Sequence, residues 1–501
     1  MAAEKADPGL EAIARSGTET RRPDARLGWN RKKAPSGKGA VVTSPSKART
    51  ALTALREDLS GEVFAPGDAG YDEARTVFNA LVDRHPAVIA RCADVADVVR
   101  AVRFGRELDL HIAVRGGGHG MSGAAVGDGA LVVDLRRMHR VTVDPADEAV
   151  RVEGGTTMSR LDRAAQPYGL ATTGCRESST GVAGFVLGGG TGWLDRAFGL
   201  AVDNLIGVEL VSADAERVHA NADENPELFW ALHGGGGNFG VATALTLELH
   251  ELPEFAVALL LYRPESGPRV VRAFREILTT GPDEAGGAVL YLTGPPARYV
   301  PEQLVGRPLC AALLTYAGRE EHLRRLAEPL LALPHEAQLV GAVPYADAQC
   351  LLDAAPGMRT HWSAECPSGL PDELVDVFCA RAGALPVPSG SRHVLFPQGG
   401  AVAAGPRGFP VPFRDAPWLV HPFGSWADPA DDERCTAWVR AALADVRPWS
   451  TGAACLNLIG DEGPERVRAG LGAGNILRLE KIKRRWDPDN VFRFDRNVRP
   501  V

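Results

Sequence analysis

Residues 113–120 read Ala113-Val114-Arg115-Gly116-Gly117-Gly118-His119-Gly120. His111 to Arg115 is a short apolar strand, and it runs straight into four glycines and a histidine. A glycine cluster after a strand admits positive φ and lets backbone N–H groups come close to a ligand. Several such groups pointing inward make an anion site, usually for phosphate. Two further clusters follow, Gly188-Gly189-Gly190-Thr191-Gly192 and Gly234-Gly235-Gly236-Gly237-Asn238-Phe239-Gly240. Three clusters between residues 116 and 240 argue for a bound ligand over loop packing alone. None of them ends in Gly-Lys, as a P-loop would. A dinucleotide fold needs GxGxxG directly after a strand with an acid about 20 residues on, and Gly188 to Gly192 does not have that spacing. A histidine fixed inside the first cluster is a chemical group that a simple phosphate loop does not require.

Around these loops the pattern is that of a globular protein. The 501 residues are 45% hydrophobic and 24% charged, enough for a large core. Asp94 to Leu108 reads as an amphipathic helix, Ala130 to Leu135 as a buried strand, Val141 to Val152 as a hairpin, and Val241 to His250 as an alternating strand. From about 256 to 440, strands such as Val257–Tyr262 alternate with helices such as Arg269–Leu278, and the last sixty residues are helical and basic. No apolar run approaches the ~18 residues of a membrane span. The net charge of −8 gives no general case for a nucleic-acid partner. Eight cysteines without a CxxC pair exclude a disulfide scaffold or a zinc ribbon, and no metal site is expected. Residues 1–50 carry a charge of +6 and the remainder −14; we read 1–50 as a disordered basic tail. Arg21-Arg22 lacks the apolar segment of a twin-arginine signal, so the expected location is cytoplasmic.

The glycine runs are part of a longer set of motifs. Thr180-Gly181-Val182-Ala183-Gly184, Leu187-Gly188-Gly189-Gly190, Gly192-Trp193-Leu194, Asp203-Asn204-Leu205, Leu228-Phe229-Trp230 and Trp486-Asp487-Pro488-Asp489-Asn490-Val491-Phe492 join residues 113–120. Together they resemble the FAD-linked oxidases of the berberine-bridge-enzyme-like group, in the vanillyl-alcohol oxidase (PCMH-type) superfamily. The flavour is that of bacterial secondary-metabolism and antibiotic-biosynthesis members, similar to the enterocin-pathway flavoenzyme. The resemblance implies an α+β fold: a PCMH-type FAD-binding domain of two α/β subdomains, and a substrate domain with an antiparallel sheet flanked by helices. It implies a flavin domain over 51–255, a substrate domain over 256–440, and a C-terminal segment over 441–501 that completes the flavin domain. It also implies that His119 bonds FAD covalently at the 8α-methyl. Cofactor contacts are then expected at Arg115, Gly116, Gly117, Gly118, Gly120, Thr180, Gly181, Gly184, Gly189, Gly190, Gly192, Asn490 and Asn497. Many relatives add a cysteinyl bond, but Glu177 stands at that position, with Cys175 two residues away. A second link is therefore not expected.

The proton acceptor departs from the family pattern. The tyrosine of a Tyr-x-Asn-Tyr-like strand is replaced by Cys455 in Cys455-Leu456-Asn457-Leu458, and the seven tyrosines end at Tyr345. His421, on a strand resembling the one that covers the flavin, titrates in the useful range and is the stronger candidate. Alternation places Leu419, His421 and Phe423 on one face, unless Pro422 disturbs it. Gln398 is expected to orient substrate. The resulting expectation is an oxidase of a small secondary metabolite. It would attack a C–H next to O or N, or a polyketide-like intermediate, passing electrons to O2 to give H2O2. The alternatives are a flavin-dependent oxygenase of a polyketide-like substrate and a redox-silent flavin-binding protein. The chain is expected to be a monomer or homodimer.

Overall fold

The computed structural model describes residues 45–501. The basic tail therefore lies outside the described residues up to 44. Its last residues belong to a helix, Pro45–Asp58, rather than to a tail. Ala48, Leu52 and Leu55 lie on one helical face and are buried against the first sheet's core, which overrides the basic composition of this stretch.

The first sheet is built from short apolar runs: β1 (Glu62–Phe64), β2 (Val88–Arg91), β3 (Ile112–Arg115) and β4 (Leu131–Asp134), in the order β1-β2-β4-β3. Strands β2, β4 and β3 are parallel, and β1 is antiparallel at the edge. The helix Val95–Glu107 makes the crossover between β2 and β3. Asp94 caps it by accepting from the Asp97 N–H, and Val98, Ala101, Val102 and Phe104 form its buried stripe. The expected hairpin appears as β5 (Val141–Asp144) and β6 (Ala149–Glu153). After the short β7 (Leu170–Ala171) come β8 (Leu205–Val211), β9 (Arg217–Ala220) and β10 (Val241–Glu248). These make an antiparallel sheet ordered β5-β6-β10-β8-β9. The two-residue β11 (His250–Glu251) pairs with β7.

A third, seven-stranded antiparallel sheet follows: β12 (Ala256–Tyr262), β13 (Ala285–Thr293), β14 (Pro308–Tyr316), β15 (Ala337–Ala342), β16 (Arg359–Trp362), β17 (Arg392–Pro397) and β18 (Trp418–Trp426). The order is β15-β12-β14-β13-β17-β18-β16. Its two faces divide the sequence by alternation. Ala256, Ala258, Leu260 and Tyr262 pack against the helices Gly267–Thr280, Glu320–Leu331 and Asp372–Ala382. Val257, Leu259 and Leu261 face the core shared with the second sheet. This is the α+β architecture that the resemblance implies.

The chain ends by returning to the first sheet. The helix Ile476–Trp486 leads to a turn whose Val491 carbonyl accepts from the Ile112 N–H, at the start of the strand that carries the first glycine cluster. All eight cysteines are free. Among the described residues no helix is long and apolar enough to cross a membrane, and none of their side chains cluster as a metal site.

Candidate active site

The glycine-rich loops and the inner face of the seven-stranded sheet enclose a cavity of ≈ 330 Å³. Gly116, Gly117, Gly118, His119 and Gly120 line it after β3, and Thr180, Gly181 and Gly184 line it from the second loop. The two loops are packed back to back: a Cβ on Gly117 would lie 2.3 Å from the Gly181 nitrogen. Three lining glycines have a different reason to be glycine. At Gly120, Gly184 and Gly237 an added Cβ would meet no neighbouring protein atom within 4 Å, and φ is not positive. Neither the backbone nor the packing of the protein demands glycine there. The requirement fits a ligand that comes close to the main chain. The Nε atoms of Arg176 and Arg496, both cavity-lining residues, are buried without a hydrogen-bond partner among the described residues. These open donors, with the cradle of glycines, fit a polar, anionic cofactor.

His119 is fixed from two sides. Its ring stacks on Phe78 at 3.8 Å between centroids, and Nε2 lies 2.7 Å from the Ser179 hydroxyl. Removal from bulk water pulls its pKa down to about 4, so the imidazole is neutral at ordinary pH. Ser179 in turn donates to Glu177 Oε1 at 3.1 Å. Burial raises the Glu177 pKa to about 7.

His421 faces the cavity from β18, an inner strand of the sheet. Its Nδ1–H donates to the Ser363 carbonyl at 2.9 Å, which leaves Nε2 as the acceptor nitrogen. The next residue explains why that carbonyl is free. Trp362 pairs with Phe423 and Glu365 with Val420, so Ser363 lies opposite Pro422. Glu365 and Val420 exchange both ladder bonds, so by alternation Ser363 and residue 422 would do the same. Proline has no N–H to give. Pro422 leaves β18 continuous rather than bulged, and the His421 side chain takes the vacant place. Burial, with the nearby Arg176 and Arg392 charges, holds the His421 pKa down to about 4.

An aromatic wall completes the pocket. Trp362 stacks on Phe423 at 5.2 Å, Phe78 meets Trp362 edge-on at 6.4 Å, and the Arg392 guanidinium lies over Phe423. Arg392, Trp362, Phe78, Arg176 and Arg496 carried no signal in a sequence-alone reading. Strand pairing would have located two of them: Arg392 and Trp362 sit opposite Phe423 from either side of β18.

Several expected site residues lie elsewhere. Gly189, Gly190 and Gly192 do not line the cavity. Gly190 donates its N–H to Asn457 Oδ1 at 2.9 Å, and a Cβ on Gly192 would lie 1.9 Å from the Gly174 carbonyl oxygen. This cluster serves close packing. The Arg115 side chain packs against Gly118 outside the cavity lining and donates to the Ala74 and Thr76 carbonyls. Cys455 is fully buried outside the cavity lining, and burial pushes its thiol up to about 12, so it is no base at neutral pH. Gln398 stands one step behind the pocket and donates to Thr191 Oγ1 at 3.0 Å and Asp195 Oδ2 at 3.1 Å. Asn490 is a turn residue at φ 53°, and Asn497 flanks cavity-lining Arg496 without lining the cavity itself.

Known proteins resemble this chain in sequence and fold. Residues 86–221 match the model of the FAD binding domain, and residues 463–499 match that of the berberine and berberine-like family. The chain is an FAD-linked oxidoreductase, similar to the berberine-bridge-type group. This oxidoreductase is 29% identical to (R)-6-hydroxynicotine oxidase of Paenarthrobacter nicotinovorans, over 88% of its own length and 97% of that protein. The structure of 6-hydroxy-D-nicotine oxidase from Arthrobacter nicotinovorans superimposes with a TM-score of 0.79 at 26% identity, covering 89% and 99% of the two chains. Glucooligosaccharide oxidase from Acremonium strictum, described with a 6-S-cysteinyl, 8α-N1-histidyl FAD, shares the fold at 22% identity and a TM-score of 0.77, over 91% and 99%.

Proposed function

We propose that this FAD-linked oxidoreductase is an oxidase of a small metabolite, with His421 as the proton acceptor and O2 as the electron acceptor. The observation that carries it is the fixed tautomer of His421: Nδ1–H is spent on Ser363, which leaves the Nε2 lone pair as the acceptor on a residue that lines the cavity. FAD, when bound, supplies the two-electron acceptor. The residues of the chain supply the rest. Residues 51–255 with 441–501 hold the cofactor, and 256–440 carry the substrate. Phe78, Trp362 and Phe423 orient a flat substrate. His421 Nε2 takes the proton of a substrate O–H or N–H as the adjacent C–H is oxidised. Gln398 positions Thr191 and Asp195 behind the pocket and does not touch substrate.

His119 carries the covalent link to the flavin 8α carbon. Its Nε2 is engaged by Ser179, which leaves Nδ1 as the attachment atom. A second link through Cys175 is not part of the proposal, because burial keeps that thiol protonated. The test is anaerobic mixing with candidate alcohols and amines, then air. Bleaching of the yellow colour followed by stoichiometric H2O2 supports the oxidase. Bleaching with ¹⁸O entering the product would show an oxygenase, and a flavin that only dithionite bleaches would sink the enzymatic reading.

The glycine argument gives a paired expectation. Gly184→Val leaves the melting temperature of the apo-protein within about 2 °C, since its side chain meets open space, but abolishes FAD retention. Gly192→Ala, with its Cβ driven into the Gly174 carbonyl, lowers the melting temperature itself. Flavin absorbance per protein, read beside thermal denaturation, separates the two.

A further inference from the structure

We infer that Ser179 and Glu177 form a proton relay that drives attachment of FAD to His119. This rests on the reading of His119 as the attachment residue. The atoms are in sequence: His119 Nε2 to Ser179 Oγ at 2.7 Å, then Ser179 Oγ to Glu177 Oε1 at 3.1 Å. The far carboxylate oxygen is held by the Ala354 N–H at 2.7 Å. The loop is anchored beside it, where the Ser178 N–H and hydroxyl both donate to Asp353, at 2.8 and 2.6 Å. Phe78 fixes the plane of the imidazole. With Nε2–H donating to Ser179 and Ser179 donating to Glu177, the lone pair of the ring is at Nδ1.

Attachment joins Nδ1 to the 8α carbon. One C–H at that carbon and the N–H at Nε2 break. The two electrons and two protons pass to O2, giving H2O2. The relay serves the Nε2 proton: Ser179 accepts it while giving its own to the Glu177 carboxylate. Glu177 and Ser179 are positioning residues in this scheme, since both act through His119. The groups facing Glu177 set its charge. Burial and Asp353 favour the protonated acid; the Ala354 N–H, the Ser179 hydroxyl and Arg392 favour the carboxylate. A protonated Glu177 cannot accept, so attachment should accelerate as pH rises through about 7.

The experiment uses the full chain, produced without flavin in a riboflavin-starved host and then given FAD in air at pH 6 to 9. Acid-insoluble flavin fluorescence reports attachment, and quenching of free FAD reports non-covalent binding. Glu177→Gln and Ser179→Ala should bind FAD as the parent does but attach it about tenfold or more slowly, with the pH dependence flattened. Ser179→Thr, which keeps the hydroxyl, should restore most of the rate. Parental rates and pH profiles in Glu177→Gln and Ser179→Ala would overturn the relay alone. Loss of non-covalent binding in step with attachment, without recovery in Ser179→Thr, would overturn it in favour of loop scaffolding. A parent that forms no adduct, or a His119→Ala variant that still does, would overturn the histidyl reading beneath it.

Discussion

Replacing His421 with alanine is expected to slow reduction of the flavin by substrate about 10²- to 10⁴-fold, the usual range for removing a positioned general base. FAD content should stay unchanged, because His421 lies on the sheet opposite the glycine loops. The pH profile gives a second test. The pKa of His421 is lowered to about 4, so the imidazole is already neutral well below its ordinary ~6.5. Activity that needs the neutral ring should persist as pH falls through 6 and be lost only as it approaches 4. An acid limb near 6.5 would contradict this placement. Stability falls over the same range. His119, His393 and His421 have folded pKa values of about 4, about 3 and about 4, and all are depressed by burial. Below ~6.5 the unfolded chain therefore binds more protons than the folded one, and stability drops as pH falls. Stopped-flow reduction with a flavin circular-dichroism reading at each pH separates loss of base from loss of fold.

The second large effect concerns the C-terminal turn. Lys483 and Asp487 have no solvent-exposed side-chain surface and pair at 2.6 Å. The ammonium also donates to the carbonyls of Asn238 and Phe492, at 2.6 and 2.7 Å. The carboxylate accepts from the N–H groups of Val491 and Phe492, at 2.8 and 2.9 Å. Lys483→Met removes the cation and strands a buried carboxylate and two carbonyls. The expected cost is about 3–5 kcal/mol, read as a lower urea midpoint. Phe492 and Gly237 both line the cavity, so FAD retention should weaken with the fold. Lys483→Met combined with Asp487→Leu should recover much of the stability, because the unpaired charge is gone. A double variant no better than the single one would mean that the hydrogen bonds to the carbonyls, rather than the charge, hold the turn.

The legible part of the site was the part written in local chemistry. A histidine inside a glycine run is visible in eight residues, and so is the alternation that puts His421 and Phe423 on one face. The second glycine cluster looks the same on paper as the first. Only packing distinguishes them: Gly192 is crowded by a carbonyl, whereas Gly120 faces empty space. Cys455 was conspicuous for standing in place of a tyrosine, but its side chain is in the core, beyond the cavity wall. Arg392 and Trp362 reach the pocket through strand order, since β17 and β16 flank β18. That order joins segments far apart in the chain and has no local signature.

Pro422 has a consequence for how such a site is lost. The anchoring of His421 depends on a main-chain donor that is missing, so the position that decides it is not among the residues that line the pocket. A change of Pro422 to any other amino acid would bring in an amide that competes for the Ser363 oxygen. The imidazole would then be free to turn or to exchange tautomers while every residue lining the pocket stayed the same. In a comparison of related sequences, such a lineage would retain its histidine and look intact. For the proton-acceptor role proposed for His421, the informative marker is therefore the His-Pro dipeptide on an inner strand, and drift at its second residue would loosen the imidazole without leaving a trace in the pocket lining.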